Sequence, residues 1–295
     1  MDRQLGHDRL AIIAGGGQLP HHVAAAARAA GDLPFVILLE GEATGDWTDF
    51  PHEPLGIGNF ARLKSIFTQR SIGRVVLSGS VSARPVLSQI RPTLSTILKL
   101  PSVLANLLSG GDDSVLTMVI DLIEAEGVKV IGVQDVVPGL IAKTGPVGTI
   151  GPTRDALRDI DVAAKAARLL GALDIGQGAI AVGGRVVALE GPEGTDAMVR
   201  RVVEMRAEGR ISRSRPGVLV KLCKPQQDRR VDLPSIGLST LQNARTAGLS
   251  GIAMEAGRSI ILDMADVRSY ADREGLFVIG IEPDVAGALD GGMPG

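Results

Sequence analysis

Short apolar runs alternate with helical stretches along most of the chain, and this alternation restricts the folds that the chain can adopt. In the first half the runs lie at 10–14, 34–39, 74–77 and 129–133, and Pro20 suits the first turn of the helix after the first run. Strands that alternate with helices form parallel sheets with helices on both faces. The first half therefore predicts a doubly wound, Rossmann-like α/β domain.

The second half repeats this alternation, so we predict two α/β domains with the substrate in the cleft between them. The segment KTGPVGTIGPT has three glycines and two prolines and no periodicity, which is typical of a linker. The predicted division is a nucleotide- or phosphate-binding domain over 1–142, a linker over 143–153, a catalytic domain over 154–285 and a flexible tail over 286–295.

Composition excludes several classes of protein. The net charge of −2 gives no reason to expect a nucleic-acid partner. No apolar run approaches the roughly 20 residues that a membrane-spanning helix needs. The first residues show no signal peptide, and a single cysteine, Cys223, suits a reducing compartment. We therefore expect a cytoplasmic protein.

Charge is unevenly distributed, because no Asp or Glu occurs between Pro54 and Gly111. The stretch does contain Lys and Arg residues, so its potential is positive. A positive potential attracts phosphates or an anionic membrane surface. Within that stretch, residues 85–108 are rich in leucine and are broken by prolines. This region predicts either an acyl-chain groove with peripheral contact to the inner membrane or ordinary core helices.

A glycine-rich turn, Gly15-Gly16-Gly17-Gln18, lies at a predicted strand-to-helix junction. Glycines at such a junction let backbone N–H groups approach a phosphate, and the helix dipole favours the negative charge. The spacing resembles a dinucleotide fingerprint, with Glu40 after the next strand, but Pro20 replaces the third glycine. A nucleotide-dependent oxidoreductase and a tight structural turn both remain open.

Other candidate substrate contacts lie at strand ends and near glycines. Glu190 follows a predicted strand, which is the usual place for ligand contacts in α/β sheets. Helix capping is an alternative explanation for Asp112, Asp113, Thr195 and Asp196. If such acids are only caps, the chain is a non-catalytic nucleotide-sugar-binding protein. The remaining candidates are Gly79, Ser80, Lys143, Thr144, Gln177 and Gly194.

The densest group of reactive side chains is the loop KPQQDRRVDLPSIG, residues 224–237. Lysine and arginine neutralise phosphate oxygens, while Asp228 and Asp232 can hold a divalent cation or orient water. The second half has no histidine, which excludes a Ser-His-Asp triad within it, and one cysteine cannot build a zinc site. Carboxylate chemistry with Mg²⁺ at a phosphorus centre remains.

Several motifs occur in the order typical of the UDP-2,3-diacylglucosamine pyrophosphatase family of the LpxI type, which the chain resembles from about residue 10 to residue 281. These motifs are GGGQLP, GDD, QDVVPGL, DIGQ, EGPEGTDAM and above all KPQQDRRVDLPSIG. The chain departs from the pattern at Arg230, since the family often has a hydrophobic or aromatic residue before Asp232. The departure concerns the packing of this loop.

The resemblance implies Mg²⁺-dependent hydrolysis of UDP-2,3-diacylglucosamine to 2,3-diacylglucosamine 1-phosphate (lipid X) and UMP, a step of lipid A biosynthesis in Gram-negative bacteria. On this chain it makes Asp228 the essential acid, which holds the metal together with Asp232 or positions water. Lys224, Gln227 and Arg230 would then stabilise charge on the phosphoryl oxygens. A homodimer is the common default for such a protein.

Overall fold

The computed structural model describes residues 8–81, 112–230 and 233–282. The chain divides into two compact units, of which the first holds residues 1–139 and 228–232 and the second holds residues 140–227 and 233–295. The described part of each unit is an α/β structure, so the predicted fold class is confirmed. The leucine-rich stretch 85–108, Asp232 and the predicted tail lie outside the described residues.

In the first unit, the described strands form one parallel sheet. They are β1 (Arg9–Ala14), β2 (Phe35–Leu39), β3 (His52–Leu55), β4 (Ile72–Ser78) and β5 (Lys129–Val130). The described helices are α1 (Leu19–Ala29), α2 (Phe60–Arg70), α3 (Asp112–Glu124) and α4 (Val133–Val136), with a 3₁₀ turn at Pro138–Leu140. The strand order β3-β2-β1-β4-β5 is Rossmann-like. In such sheets ligands bind at the carboxyl ends of the strands where the order reverses, here at β1 and β4.

Side-chain alternation along these strands builds the core of the first unit. Ala11, Ile13, Val75 and Leu77 are buried in one cluster with residues of α2 and α3. The residues between them point to the opposite face, where α1 packs. Asn59 caps α2, since its Oδ1 accepts the N–H of Arg62 at 3.1 Å.

Two elements of the first unit differ from the prediction. His52–Leu55 forms an edge strand although its sequence, HEPL, contains a proline. Proline is tolerated there because an edge strand leaves one side of its backbone unpaired. The predicted strand over 129–133 ends at Val130, and the chain then turns into α4, where Asp135 Oδ2 accepts the N–H of Gly132 at 2.9 Å.

In the second unit, the main sheet has the strand order β6-β13-β11-β9-β7-β8. Its strands are β6 (Gly145–Pro146), β7 (Gly178–Val182), β8 (Arg185–Leu189), β9 (Gly217–Lys221), β11 (Leu249–Glu255) and β13 (Phe277–Ile281). A small parallel pair joins β10 (Ser235–Ile236) to β12 (Ile260–Ile261). The described helices are α5 (Arg154–Ala172), α6 (Gly194–Ala207), α7 (Leu238–Thr246) and α8 (Met264–Glu274).

The strand ends that matter for the site lie on one side of this sheet, at the carboxyl ends of its parallel strands. Strands β9, β11 and β13 are parallel, and β7 is antiparallel to both β8 and β9. The carboxyl ends of β8, β9, β11 and β13 therefore share one edge with the beginning of β7. Helix α5 covers one face of the sheet, while α6, α7 and α8 pack on the other.

The predicted linker over 143–153 contributes to this sheet. Gly145–Pro146 pairs antiparallel with β13, and the N–H of Val147 donates to Val278 O at 2.8 Å. A segment whose composition is typical of a linker thus supplies an edge strand of the second unit. Among the described residues, no helix combines the length and apolar character that a bilayer span requires.

Candidate functional site

The turn after β9 carries the first part of the KPQQD motif. Leu222 still pairs with the neighbouring segment, because its N–H donates to Gln177 O at 2.9 Å. The chain then turns, and the N–H of Gln227 donates to Lys224 O at 3.2 Å. The side-chain oxygen of Gln227 accepts the N–H of Lys224 at 3.1 Å and the thiol of Cys223 at 3.3 Å. These contacts hold Lys224 and Gln227 in one compact turn.

An ion pair fixes the Lys224 side chain at this edge of the sheet. Its Nζ lies 2.7 Å from Asp174 Oδ1, and only 11% of the Lys224 side chain is exposed. The amide of Gln226 donates to Gly171 O at 2.8 Å, which joins the turn to the end of α5. A cation that is nearly buried and oriented in this way suits a phosphoryl oxygen.

Glu190, Thr195 and Gln177, three of the candidate substrate contacts, are joined by hydrogen bonds. Glu190 is buried, and its carboxylate accepts the N–H of Gln177 at 3.2 Å and the hydroxyl of Thr195 at 2.5 Å. Gly176 allows the close approach, since a Cβ there would lie 2.3 Å from Glu190 O. The side-chain oxygen of Gln177 is buried and has no hydrogen-bond partner among the described residues. This group can therefore receive a donor from a ligand.

The other candidates of the second unit lie on its surface and do not form one cluster. Asp196 Oδ1 accepts the amide of Asn243 at 3.0 Å, which links α6 to α7, and Gly194 begins α6. Lys143 is exposed and Thr144 donates to Glu282 at 2.5 Å, next to β6. Strands β6 and β8 stand five strand spacings apart, about 24 Å at ~4.8 Å each. Lys143 and Thr144 are thus distant from the Glu190 group.

Asp228 and Arg230 belong to the first unit, whereas Lys224 and Gln227 belong to the second. Asp228 Oδ2 lies 2.7 Å from Arg230 Nη2, and Arg230 Nη1 lies 2.8 Å from Glu124 Oε1 on α3. The amide of Gln134 donates to Arg229 O at 3.1 Å and ties down the backbone between them. The predicted quartet is therefore divided between the two compact units of the chain.

Hydrogen bonds from Arg230 lower the pKa of Asp228 below its ordinary value. The same contacts raise the pKa of Arg230. Asp228 is consequently a carboxylate at neutral pH and a weak proton acceptor. Such a group is suited to hold a cation or to orient a water molecule, and less suited to remove a proton from that water.

The glycine turn after β1 is hydrogen-bonded to the loop after β4. The N–H groups of Gly15 and Gly16 donate to Ser78 O at 2.8 Å and to Ser80 O at 2.7 Å. A Cβ at Gly15 would lie 2.3 Å from Ser80 O, so this close contact requires glycine. The first two N–H groups of the motif therefore bind within the protein. The part of the turn that a phosphate could approach is therefore the exposed Gly17, at φ +87°, together with the start of α1.

The loop after β4 holds the other candidates of the first unit. Gly79 has φ +91°, and a Cβ there would lie 2.5 Å from Gly16 O. Ser80 and Gln18 are exposed beside it, and Glu40 is exposed after β2. Ser78, which the sequence analysis did not single out, is 6% exposed, and its hydroxyl has no hydrogen-bond partner among the described residues.

Asp112 and Asp113 begin α3, and the structure describes only their backbone. The described residues contain no group of three His, Cys, Asp or Glu side chains that could hold a metal ion. Mg²⁺ often binds to one or two carboxylates and completes its shell with water and substrate phosphates. Asp228, ionised and placed in a loop, fits that limited contribution. Asp232 lies outside the described residues.

Glu255, the last residue of β11, is a buried acid that lies outside every motif of the sequence named above. It is 3% exposed, and its Oε2 accepts the N–H of Cys223 at 3.0 Å. Its Oε1 lies 3.0 Å from Arg258 Nη1. An acid directly after a predicted strand was the signal that identified Glu190, and the same signal could have identified Glu255.

Comparisons with known proteins cover both units. The model of the LpxI N-terminal domain matches residues 9–140, and that of the LpxI C-terminal domain matches residues 143–279. A protein of Caulobacter vibrioides, named UDP-2,3-diacylglucosamine pyrophosphatase LpxI, is 40% identical over 277 residues, which are 93% of this chain and 98% of the relative.

Solved structures show only distant likeness. A GalE-like L-threonine dehydrogenase from Cupriavidus necator is 19% identical over 49% of this chain and 41% of that chain, with a TM-score of 0.27. The precorrin-6A reductase CobK is 13% identical over 91% of this chain and 98% of that chain, with a TM-score of 0.30. Scores this low support no conclusion about fold or function.

Proposed function

The chain belongs to the LpxI family, and from this premise we propose that it hydrolyses the pyrophosphate bond of UDP-2,3-diacylglucosamine. The products are 2,3-diacylglucosamine 1-phosphate and UMP, which places the reaction in lipid A biosynthesis. The observation that carries this proposal is the 40% identity to a relative of that name over nearly the full length of both chains.

In the proposed reaction, Lys224 and Gln227 stabilise negative charge on the pyrophosphate oxygens. The Asp174 ion pair and the low exposure of Lys224 support this role, because an oriented cation shielded from water acts strongly on developing charge. The Gln227 carbonyl oxygen is held by two protein donors. These two contacts fix the orientation of the Gln227 side chain within the turn.

Asp228 is the proposed essential acid, and Arg230 orients it. The hydrogen bonds from Arg230 keep Asp228 ionised, which suits a carboxylate that holds Mg²⁺ or positions the attacking water. Arg230 also adds positive charge near the transferred phosphoryl group. Bound Mg²⁺ would neutralise charge on the pyrophosphate oxygens and favour departure of the phosphate leaving group.

A substrate with two acyl chains resides in or near a membrane, so we propose that the protein acts in the cytoplasm at the inner face of the inner membrane. The basic residues Arg84, Arg91 and Lys99 of the acid-free stretch support attraction to anionic lipid. The four cations between residues 62 and 74 are paired with acids from outside the stretch. Co-sedimentation with anionic and with neutral vesicles tests this part. Binding to anionic vesicles that weakens with salt is expected, and equal binding to both would contradict it.

The activity is tested with purified protein, Mg²⁺ and UDP-2,3-diacylglucosamine in detergent micelles, followed by phosphorus NMR and mass spectrometry. We expect UMP and 2,3-diacylglucosamine 1-phosphate in equal amounts. A UDP-sugar without acyl chains is the control and should be a much poorer substrate. The proposal is wrong if the diacyl substrate stays intact, or if a parallel assay with added NADPH shows oxidation of the NADPH instead.

A further inference from the structure

We propose that Glu255 is a positioning residue for this reaction, because its buried carboxylate fixes the turn that carries Lys224 and Gln227. The expected effect of Glu255 on kcat rests on the proposed function. The contacts by which Glu255 fixes the turn after β9 lie within the second unit and do not depend on that function. No motif quoted above includes Glu255, and it contacts the backbone that leads into the turn.

The strand register explains why a side chain is needed at this point. Met254 pairs with Lys221, and the ladder between β9 and β11 ends there. The chain after β9 still has buried N–H groups that require acceptors. The Glu255 side chain supplies one of them, since its Oε2 lies 3.0 Å from the N–H of Cys223. The carboxylate thus replaces the backbone acceptor that the sheet no longer provides after the Met254–Lys221 pair.

Cys223 passes this constraint to the turn in two ways. It directly precedes Lys224 in the chain, and its thiol donates to Gln227 Oε1 at 3.3 Å. The N–H of Lys224 donates to the same oxygen at 3.1 Å. A displacement of the Cys223 backbone therefore moves Lys224 directly and Gln227 through the shared hydrogen bonds.

Arg258 balances the negative charge of Glu255. Arg258 Nη1 lies 3.0 Å from Oε1, while the other carboxylate oxygen faces Cys223. The Glu255 side chain is 4% exposed and that of Arg258 is 32% exposed. Each carboxylate oxygen thus has its own donor, which fixes the orientation of the carboxylate. A buried carboxylate costs free energy unless it is paired and hydrogen-bonded, and these two contacts meet that requirement.

Asp159 provides a matched control in the same unit. It is also 3% exposed, and its carboxylate accepts two backbone N–H groups, those of Gly183 and Gly184. These glycines form the β7–β8 turn, which lies at the opposite edge of the sheet because β7 is antiparallel to β9. Loss of either carboxylate should lower stability, but only Glu255 is joined to the turn after β9.

The first measurement compares the kcat and KM of the wild-type protein with those of Glu255→Ala, Glu255→Gln and Asp159→Asn. We expect Glu255→Ala to lower kcat by about tenfold to a hundredfold with a nearly unchanged KM, since small misplacements of catalytic groups act on the transition state. Glu255→Gln should recover part of kcat, because it keeps an acceptor for Cys223. Asp159→Asn should reduce stability and leave kcat unchanged.

The second measurement does not depend on activity. Cys223 is the only cysteine of the chain and is buried, so its labelling by a thiol reagent reports on this turn alone. Both Glu255 variants should be labelled at least about tenfold faster than the wild type, as expected for local opening. Asp159→Asn should be labelled at the wild-type rate.

The two measurements separate the inference from the proposed function. Faster labelling in the Glu255 variants supports the positioning role even if the wild type fails to hydrolyse the substrate, which would refute only the function. If Glu255→Ala does not fold, Glu255→Gln carries both tests. Wild-type labelling together with wild-type kcat in a folded Glu255 variant overturns the inference. An equal fall of kcat in folded Asp159→Asn also overturns it.

Discussion

Arg230 binds both carboxylate oxygens of Asp228, with 3.0 Å between Nε and Oδ1 and 2.7 Å between Nη2 and Oδ2. The backbone N–H of Arg230 adds a third contact, to Oδ1 at 2.9 Å. Glu124 holds the same guanidinium from the other side at 2.8 Å. The carboxylate of Asp228 is therefore held in one orientation by a side chain that is itself fixed.

Replacing Arg230 by lysine should lower kcat by about tenfold or more, because an ammonium group cannot bind two carboxylate oxygens in the planar geometry of a guanidinium. Steady-state kinetics on UDP-2,3-diacylglucosamine measure the effect. Arg229→Lys is the control, since Arg229 is the exposed neighbour and is held here through its backbone oxygen. Equal kcat values for the two variants would contradict the role of Arg230.

Thr195→Val removes the hydroxyl that donates to buried Glu190 at 2.5 Å, and it keeps the size of the side chain. A buried carboxylate that loses a donor should cost about 1–3 kcal/mol of stability. Thermal unfolding followed by far-UV circular dichroism measures this loss. Thr195→Ser keeps the hydroxyl and should remain close to the wild type, so the prediction fails if serine is as destabilising as valine.

The alternation of apolar runs predicted the fold class, and the errors occurred where local sequence and pairing disagree. Pro54 and Pro146 both lie in edge strands, where a missing N–H need not disturb the ladder. In a single sequence the same prolines indicate loops. The strand predicted to Val133 was cut short by the Gly132–Asp135 hydrogen bond, a local contact that apolar periodicity does not reveal.

Candidate site residues could be predicted where the sequence itself holds the chemistry together. Lys224, Gln227 and Asp228 are close in the chain, so a motif identifies them. The partners Asp174, Glu124 and Glu255 are contributed by distant elements, and their roles depend on the sheet register. The glycines at 15 and 16 illustrate a different limit, because glycine permits approach of a phosphate and of a neighbouring loop equally well.

Glu53 gives a pH-dependent test of the first unit. Its pKa lies below the ordinary 4.5 because Arg70, and then Arg62 at 2.5 Å, hold it as a carboxylate. A lowered pKa in the folded state adds stability above the pKa of the unfolded chain, and this stability is lost as the pH falls through the folded value. Glu53→Gln should therefore destabilise at pH 7 by about 1 kcal/mol and have little effect near pH 2.

Trp47 makes this measurement specific to the first unit. It is the only tryptophan of the chain and is 4% exposed. Urea unfolding followed by tryptophan fluorescence at the two pH values gives the difference between the wild type and Glu53→Gln. A destabilisation that does not depend on pH would contradict the ionic origin of the contact.

Removal of divalent metal by EDTA should abolish turnover, and added Mg²⁺ should restore it. The described residues offer no closed metal cage, so we expect the thermal unfolding midpoint to stay the same without metal. Parallel activity and unfolding measurements test both parts. Full turnover in EDTA would contradict the prediction that hydrolysis depends on Mg²⁺. A large fall of the midpoint would instead indicate a structural metal site.

The central claim is that Asp228 is essential for hydrolysis of the pyrophosphate bond, and one paired measurement on Asp228→Ala tests it most directly. Turnover of UDP-2,3-diacylglucosamine is followed as UMP release, and substrate binding is followed by calorimetry on the same preparation, beside the wild type. The account predicts that the variant loses nearly all turnover and still binds the substrate. Asp228→Ala that releases UMP at a rate close to that of the wild type would contradict it.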